Sequence, residues 1–112
     1  MSHDARLEDL VILQGEEVSN AITNHVGVEN TVDFLIYGGK NMLGAVNVQV
    51  SPEQKPTEDD WYDFQWSSGT DVMLTAGKAV RVAARCIKAI RLKALTQQVE
   101  DVVCPAISQQ DT

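Results

Sequence analysis

The sequence predicts an all-β protein, an antiparallel β-sandwich or jelly-roll-like domain of about eight short strands. Three observations predict it. Apolar and polar residues alternate with period two in Val46-Asn47-Val48-Gln49-Val50, which places the three valines on one face. Turn-forming residues recur at intervals of about ten residues along most of the chain. Strands alternating with long helices, the pattern of a parallel α/β sheet, are absent from the sequence.

Taken in order, Leu7 to Leu13 is a candidate strand ended by Gln14-Gly15. The spacing of Leu7, Leu10 and Val11 also fits a short helix, and residues 1–15 as a whole also read as an N-terminal arm. Glu17 to Ile22 is a second candidate strand, with a loop from Thr23-Asn24 to Gly27. Thr31 to Tyr37 is β-rich and leads into Gly38-Gly39, which reads as a turn, so Met42 to Val50 is expected to return as its hairpin partner. Pro52 and Pro56 make Ser51 to Asp60 a loop. After Trp61 to Trp66 come a turn at Ser67-Ser68-Gly69, a short strand Val72-Met73-Leu74 and a turn at Ala76-Gly77-Lys78. Ala79 to Ala83 and Cys86 to Leu95 follow as strands. The second is rich in helix formers, but Ile90-Arg91-Leu92 alternates, which favours a strand. Val99 to Val103 makes a final strand before Pro105, and residues 106–112 read as a loose tail.

The 112 residues suit a single domain spanning 1–112. With 44% apolar and 22% charged residues, the composition argues against disorder of the whole chain. No apolar run approaches the ~20 residues that span a bilayer, so no membrane partner is expected. Met1 to Arg6 lacks the basic-then-apolar pattern of a secretory signal, and synthesis in a host cytoplasm is expected. Cys86 and Cys104 read as two buried thiols, paired only if their strands are neighbours.

Charge is unevenly placed within the net −7. Residues 1–71 hold thirteen acids and three bases, whereas residues 72–112 hold six bases and three acids. The overall field repels phosphate, so direct nucleic-acid binding is not expected. The basic strands, with Arg81 and Arg91 each between apolar neighbours, suggest an outer face that meets acidic surface.

Catalytic and cofactor patterns are missing from the sequence. Gly-x-Ser-x-Gly, Gly-x-Gly-x-x-Gly and Gly-Lys-Ser/Thr do not occur, and Gly38-Gly39-Lys40 sits between strands with no helix N-terminus after it. His3 and His25 are isolated. Glu58, Asp59, Asp60 and Asp63 have the composition of a calcium loop but neither the spacing nor the glycine of an EF-hand, and read as a solvated acidic loop. No enzyme activity, cofactor or metal is expected. Alternation puts Trp61 and Asp63 on one face and Tyr62, Phe64 and Trp66 on the other, where they are expected to join the core. Trp61 then faces outward as a contact residue.

From Val46 to Leu92 the motifs Val48-Gln49-Val50-Ser51, Trp61-Tyr62-Asp63, Ser68-Gly69-Thr70-Asp71-Val72, Ala76-Gly77-Lys78-Ala79 and Ile90-Arg91-Leu92 occur in that order. This order resembles a β-sandwich domain common among tailed-bacteriophage virion proteins. The chain length is similar to that of the small capsid cement, or decoration, proteins of short-tailed phages. The resemblance covers less than half the chain and leaves its first forty residues outside. It implies a non-enzymatic virion protein on the capsid surface, with the major capsid protein as partner and a homodimer or other homo-oligomer as the working form. The interface residues expected on this reading are Asp59, Asp60, Trp61 and Tyr62 in the acidic region, and Arg81, Arg85, Lys88 and Arg91 in the basic strands. The same sandwich is similar to glycan-binding modules of tail proteins, which leaves a carbohydrate-binding module or a neck or tail-completion subunit as alternatives.

Overall fold

Short alternating segments can bury one face only by pairing with distant segments, and this chain does so through antiparallel ladders. The computed structural model describes residues 2–23, 31–83 and 87–111. The strands are β1 Ser2–Arg6, β2 Leu10–Ile12, β3 Thr31–Tyr37, β4 Val46–Ser51, β5 Tyr62–Asp63, β6 Met73–Leu74, β7 Ala79–Ala83, β8 Ala89–Ala94, β9 Val102–Cys104 and β10 Ala106–Asp111. They form three small antiparallel sheets. The first has the order β1-β10-β3-β7, and the second is the pair β2-β9. The third is centred on β4, which takes β8 along one edge and β5 and β6 in succession along the other. A 3-10 turn, Glu58–Asp60, is the helical element among the described residues. The all-β expectation therefore holds.

Several elements fall where the sequence places them, β7 residue for residue. Strand wins over helix at β8 because tertiary pairing overrides propensity. β8 is laddered to β4 from Ala89 to Ala94, and bridges at Val18↔Lys93 and Ile22↔Ile90 occupy its other edge. The Leu7–Leu13 strand reading is found in part, as β2 paired with β9, and residues 2–6 add a strand that the sequence did not signal, β1 paired with β10. The loop expected from Thr23 to Gly27 lies largely outside the described residues.

Three expectations are corrected. Glu17 to Ile22 is not a strand, since Val18 and Ile22 make only isolated bridges to β8. Thr31–Tyr37 and Val46–Ser51 are not a hairpin, since β3 pairs with β10 and β7, and β4 with β5, β6 and β8. The glycines between them also serve close approach. A β-carbon on Gly38 would collide with the Thr75 carbonyl, and one on Gly39 would lie 2.7 Å from the Val103 carbonyl oxygen. The expected turn is present, closed by the Met42 N–H on the Gly39 carbonyl at 3.1 Å, but it carries the chain through a backbone crevice from one sheet to another instead of folding it back on its own strand. The loose tail is also wrong. Residues 106–111 form β10, which is laddered on both edges, Ala106 facing Ile36 and Ser108 facing both Phe34 and Ala5. A polar composition hid it: Ile107 and Gln109 are half-buried on one face, while Ala106 and Ser108 are buried on the other.

One buried cluster takes side chains from all three sheets: Phe34, Ile36 and Val82 from the first, Leu10, Ile12 and Val102 from the second, and Val46, Val48, Leu74 and Leu92 from the third. Cys104 is a buried free thiol within it, and burial pushes its ionisation up, so it stays protonated and unreactive. Cys86 lies outside the described residues. The ladder position of β10 gives a direct check. Ending the chain after Pro105 removes the strand between β1 and β3, and the truncated protein is expected to show no cooperative thermal transition by circular dichroism. A truncated chain that melts like the full one would restore the loose-tail reading.

Candidate interaction surfaces

The alternation of β4 sends Val46 and Val48 to the core and Asn47, Gln49 and Ser51 to the opposite face. Register then fixes a polar row. Gln49 faces Asp63 on β5 and Arg91 on β8. The Gln49 amide donates to Asp63 Oδ1 (3.0 Å), and Arg91 Nε donates to Gln49 Oε1 (2.8 Å). The remaining Arg91 nitrogens fork onto Glu58, Nη1 to Oε1 at 3.0 Å and Nη2 to Oε2 at 3.3 Å. The Trp61 ring lies against the guanidinium, 4.4 Å from carbon to centroid.

This knot is assembled by the loop that the two prolines interrupt. Thr57 donates from its backbone N–H and its hydroxyl to Asp60 Oδ2, at 2.8 and 3.1 Å, and Asp60 N–H returns to the Thr57 carbonyl. The resulting turn sets Glu58 over β8 and brings Trp61 back onto Arg91. The Arg91 side chain is only 8% exposed, whereas that of Glu58 is 80% exposed. A charge taken out of water needs compensation, and bidentate pairing, the Gln49 bond and the aromatic face together provide it. The Arg91 hydrogen bond, and then its charge, hold the Glu58 carboxyl below its ordinary range. Asn47, on the same face, is buried, and its Oδ1 has no hydrogen-bond partner among the described residues.

The expected outward display of Arg91 is therefore corrected. Both faces of β8 are covered, so alternation alone does not expose every second residue. Trp61 is half-buried. Of the trio assigned to the core, only Phe64 packs against it. Tyr62 is 60% and Trp66 46% exposed, because β5 has two residues and the chain beyond it forms a narrow projecting hairpin closed by the Gln65↔Asp71 bridge and the Gly69 turn. Asp59 is exposed, and Asp60 bonds within its own turn. Arg81 stands on the exposed face of β7 in a different sheet, bonded to Asp33 Oδ2 at 3.1 Å and Gln109 Oε1 at 3.2 Å. Lys88 is exposed, and Arg85 lies outside the described residues. The structure thus brings Trp61, Asp60 and Arg91 to one place and leaves Arg81 elsewhere. Among the described residues, no cluster of three or more His, Cys, Asp or Glu is placed to hold a metal ion.

A second region had no signal in the sequence. Three loops converge on Gln98, a fully buried glutamine. Its Oε1 accepts from the Leu43 N–H (2.8 Å), and its Nε2 donates to the carbonyls of Leu43 (2.9 Å) and Thr96 (2.8 Å). Its backbone carbonyl accepts from Gly15 N–H. Nearby, Asp101 Oδ1 accepts from Gln14 N–H, and Asn41 donates to Glu100 Oε1 and the Asp101 carbonyl. These loops expose Leu13 (53%), Leu43 (40%), Leu95 (55%) and Val99 (67%). Aliphatics scattered through non-periodic segments give no pattern, and only their convergence in space makes them a group.

No protein-family model, curated protein or solved structure matches the chain. What the geometry defines is a small all-β domain with one internally satisfied polar knot and one exposed apolar end.

Two measurements check these assignments. The Glu58 carboxyl ionises more easily folded than unfolded, so its pairing supports the fold above the ordinary glutamate value and is lost as pH falls through the lowered folded value. Trp61 fluorescence, followed in a Trp66→Phe background, is expected to change with a midpoint below the ordinary glutamate value, and Glu58→Gln removes that step. An unaltered titration in Glu58→Gln would show that the ion pair does not hold the loop. Separately, Gln98→Leu orphans the Leu43 N–H and two carbonyls, and urea unfolding is expected to show a loss of about 1–3 kcal/mol.

Proposed function

We propose that the chain is a non-enzymatic structural subunit of a tailed-phage virion, a cement protein that binds the assembled shell through the major capsid protein. It sits on the capsid surface and works as a homo-oligomer. We infer that the first and third sheets stack as the faces of a β-sandwich of jelly-roll type, a reading supported by the single buried cluster that draws on both.

The observation that carries the functional reading is the apolar end at Gln98. Four exposed aliphatics on loops braced by a buried amide are a preorganised surface for association, which supports the homo-oligomeric working form of this reading. The order of motifs from Val46 to Leu92 supports the virion setting. Cement of this kind acts by mass action, since a ligand that binds only the assembled shell stabilises it by about 2.7 kcal/mol at a hundred times its dissociation constant.

The glycan-binding alternative draws on Trp61, Tyr62 and the acids beside them. The arrangement weighs against it, because one Trp61 face is taken by Arg91 and the Asp60 and Asp63 carboxylates already accept internal hydrogen bonds. Mixing the purified protein with undecorated capsids is the test. Bound protein in the sedimented shells, and a higher temperature for shell rupture, are expected. Shells that bind none at saturating protein would sink the proposal.

A further inference from the structure

Among the described residues, nine large hydrophobic side chains are exposed, and six of them are Leu13, Leu43, Leu95, Val99, Val103 and Tyr37. The first four sit on the loops that meet at Gln98. The other two line a neighbouring open cleft of about 340 Å³, together with Pro105, Lys40 and Lys78. These two patches adjoin along the chain and in space. Gly38-Gly39-Lys40 of the cleft runs directly into Asn41 to Leu43 at the tip, and Val103 continues from the segment Val99 to Asp101, which Asn41 clasps.

The two patches differ in sign. The tip is edged by Glu16 and Glu17, exposed beside Leu95 and Thr96, and by Glu100 and Asp101. The cleft is edged by exposed Lys40 and Lys78. Among the described residues, neither lysine has a carboxylate partner, and Glu16 and Glu17 have no basic one. The surface therefore carries an acid-edged aliphatic patch next to a base-edged apolar cleft. A patch that holds both halves of a complementary pair side by side is self-complementary under a two-fold axis, which brings each half onto the other twice.

We infer that this surface is a two-fold interface with a second copy of the chain, the Leu13–Leu95–Val99 tip of each copy seated in the Tyr37–Val103–Pro105 cleft of the other. The aliphatics supply the burial. Glu16 and Glu17 facing Lys40 and Lys78 set the register. Gln98 holds the tip in shape before contact, so little ordering is lost on association. A lipid surface is the poorer occupant, since four acids edge the aliphatics and would face anionic headgroups. The inference deepens the self-association part of the proposed function, and it is tested on the isolated protein with no capsid present, so its failure and that of shell binding are separate results.

The experiment is sedimentation velocity of the full chain over a wide concentration series, with circular dichroism to show that each variant is folded. The native protein is expected as two copies that dissociate reversibly on dilution. Val99→Glu, at an exposed position, is expected to weaken association by roughly tenfold or more. One charge variant carries Glu16→Lys with Glu17→Lys, and the other Lys40→Glu with Lys78→Glu. Each alone places like charges in both contacts and is expected to sediment as one copy. Their equimolar mixture restores opposite charges at both contacts and is expected to sediment as two. A native chain that stays single, a native chain that grows beyond two copies, charge variants that each pair as well as the native protein, or a mixture that does not pair would overturn the inference.

Discussion

The Arg91 guanidinium is the constraint around which one side of the molecule is arranged. β8 is laddered along its whole length to β4 and bridged on its far edge, so a side chain pointing away from the core still meets protein. Removing a cation from water without partners costs several kcal/mol. Each neighbouring feature answers that cost. Gln49 stands opposite in register, the Thr57–Asp60 turn presents Glu58, and Trp61 closes over the flat face. Deleting any one partner leaves the others paired with a group still buried, so the loop from Ser51 to Trp61 and the β4–β8 ladder act as one unit.

That dependence explains what could be read beforehand and what could not. Period-two alternation located β4 and the centre of β8, since alternation reports local backbone geometry. It could not report what covers the second face. Arg81 and Arg91 have the same local pattern, a base between two apolar residues, yet one is exposed and the other is a buried anchor. The difference lies in the Glu58 turn, more than thirty residues away in sequence. The same holds for Gly38-Gly39. Two glycines before a lysine and an asparagine do make a turn, but they also meet a packing demand that the turn rule does not report, because the Thr75 and Val103 carbonyls leave no room for a β-carbon. β10 shows a third kind of blindness. Its Ser108-Gln109-Gln110-Asp111 stretch is too polar to read as a strand, although Ser108 is fully buried and the ladder runs on both sides.

The candidate sites divide along the same line. The aromatic and acidic residues around Trp61 stand out in sequence because their composition is unusual, and in the structure the Glu58, Asp60 and Asp63 carboxylates are each bonded within the fold. Leu13, Leu43, Leu95 and Val99 are ordinary residues in ordinary segments, and they form an exposed apolar surface. Composition marks residues with unusual chemistry. Contact surfaces are marked by unusual placement, and placement depends on which loops the three sheets bring together. The buried Gln98 is the clearest sign that this placement is structured, because three separate hydrogen bonds from one side chain fix two loops whose outward residues are apolar.

Each copy carries a net −7, so two copies repel at long range. At physiological ionic strength the screening length is about 8 Å, which removes acids remote from the contact while leaving groups inside it in play. Within the proposed interface, acids on the tip meet lysines on the cleft, against the sign of the molecule as a whole. Affinity must then come chiefly from the aliphatics, and the charged edges select the orientation. It follows that lowering the salt opposes association through the distant acids even as it strengthens the local pairs. An interface held mainly by its charges would instead strengthen steadily as salt is withdrawn.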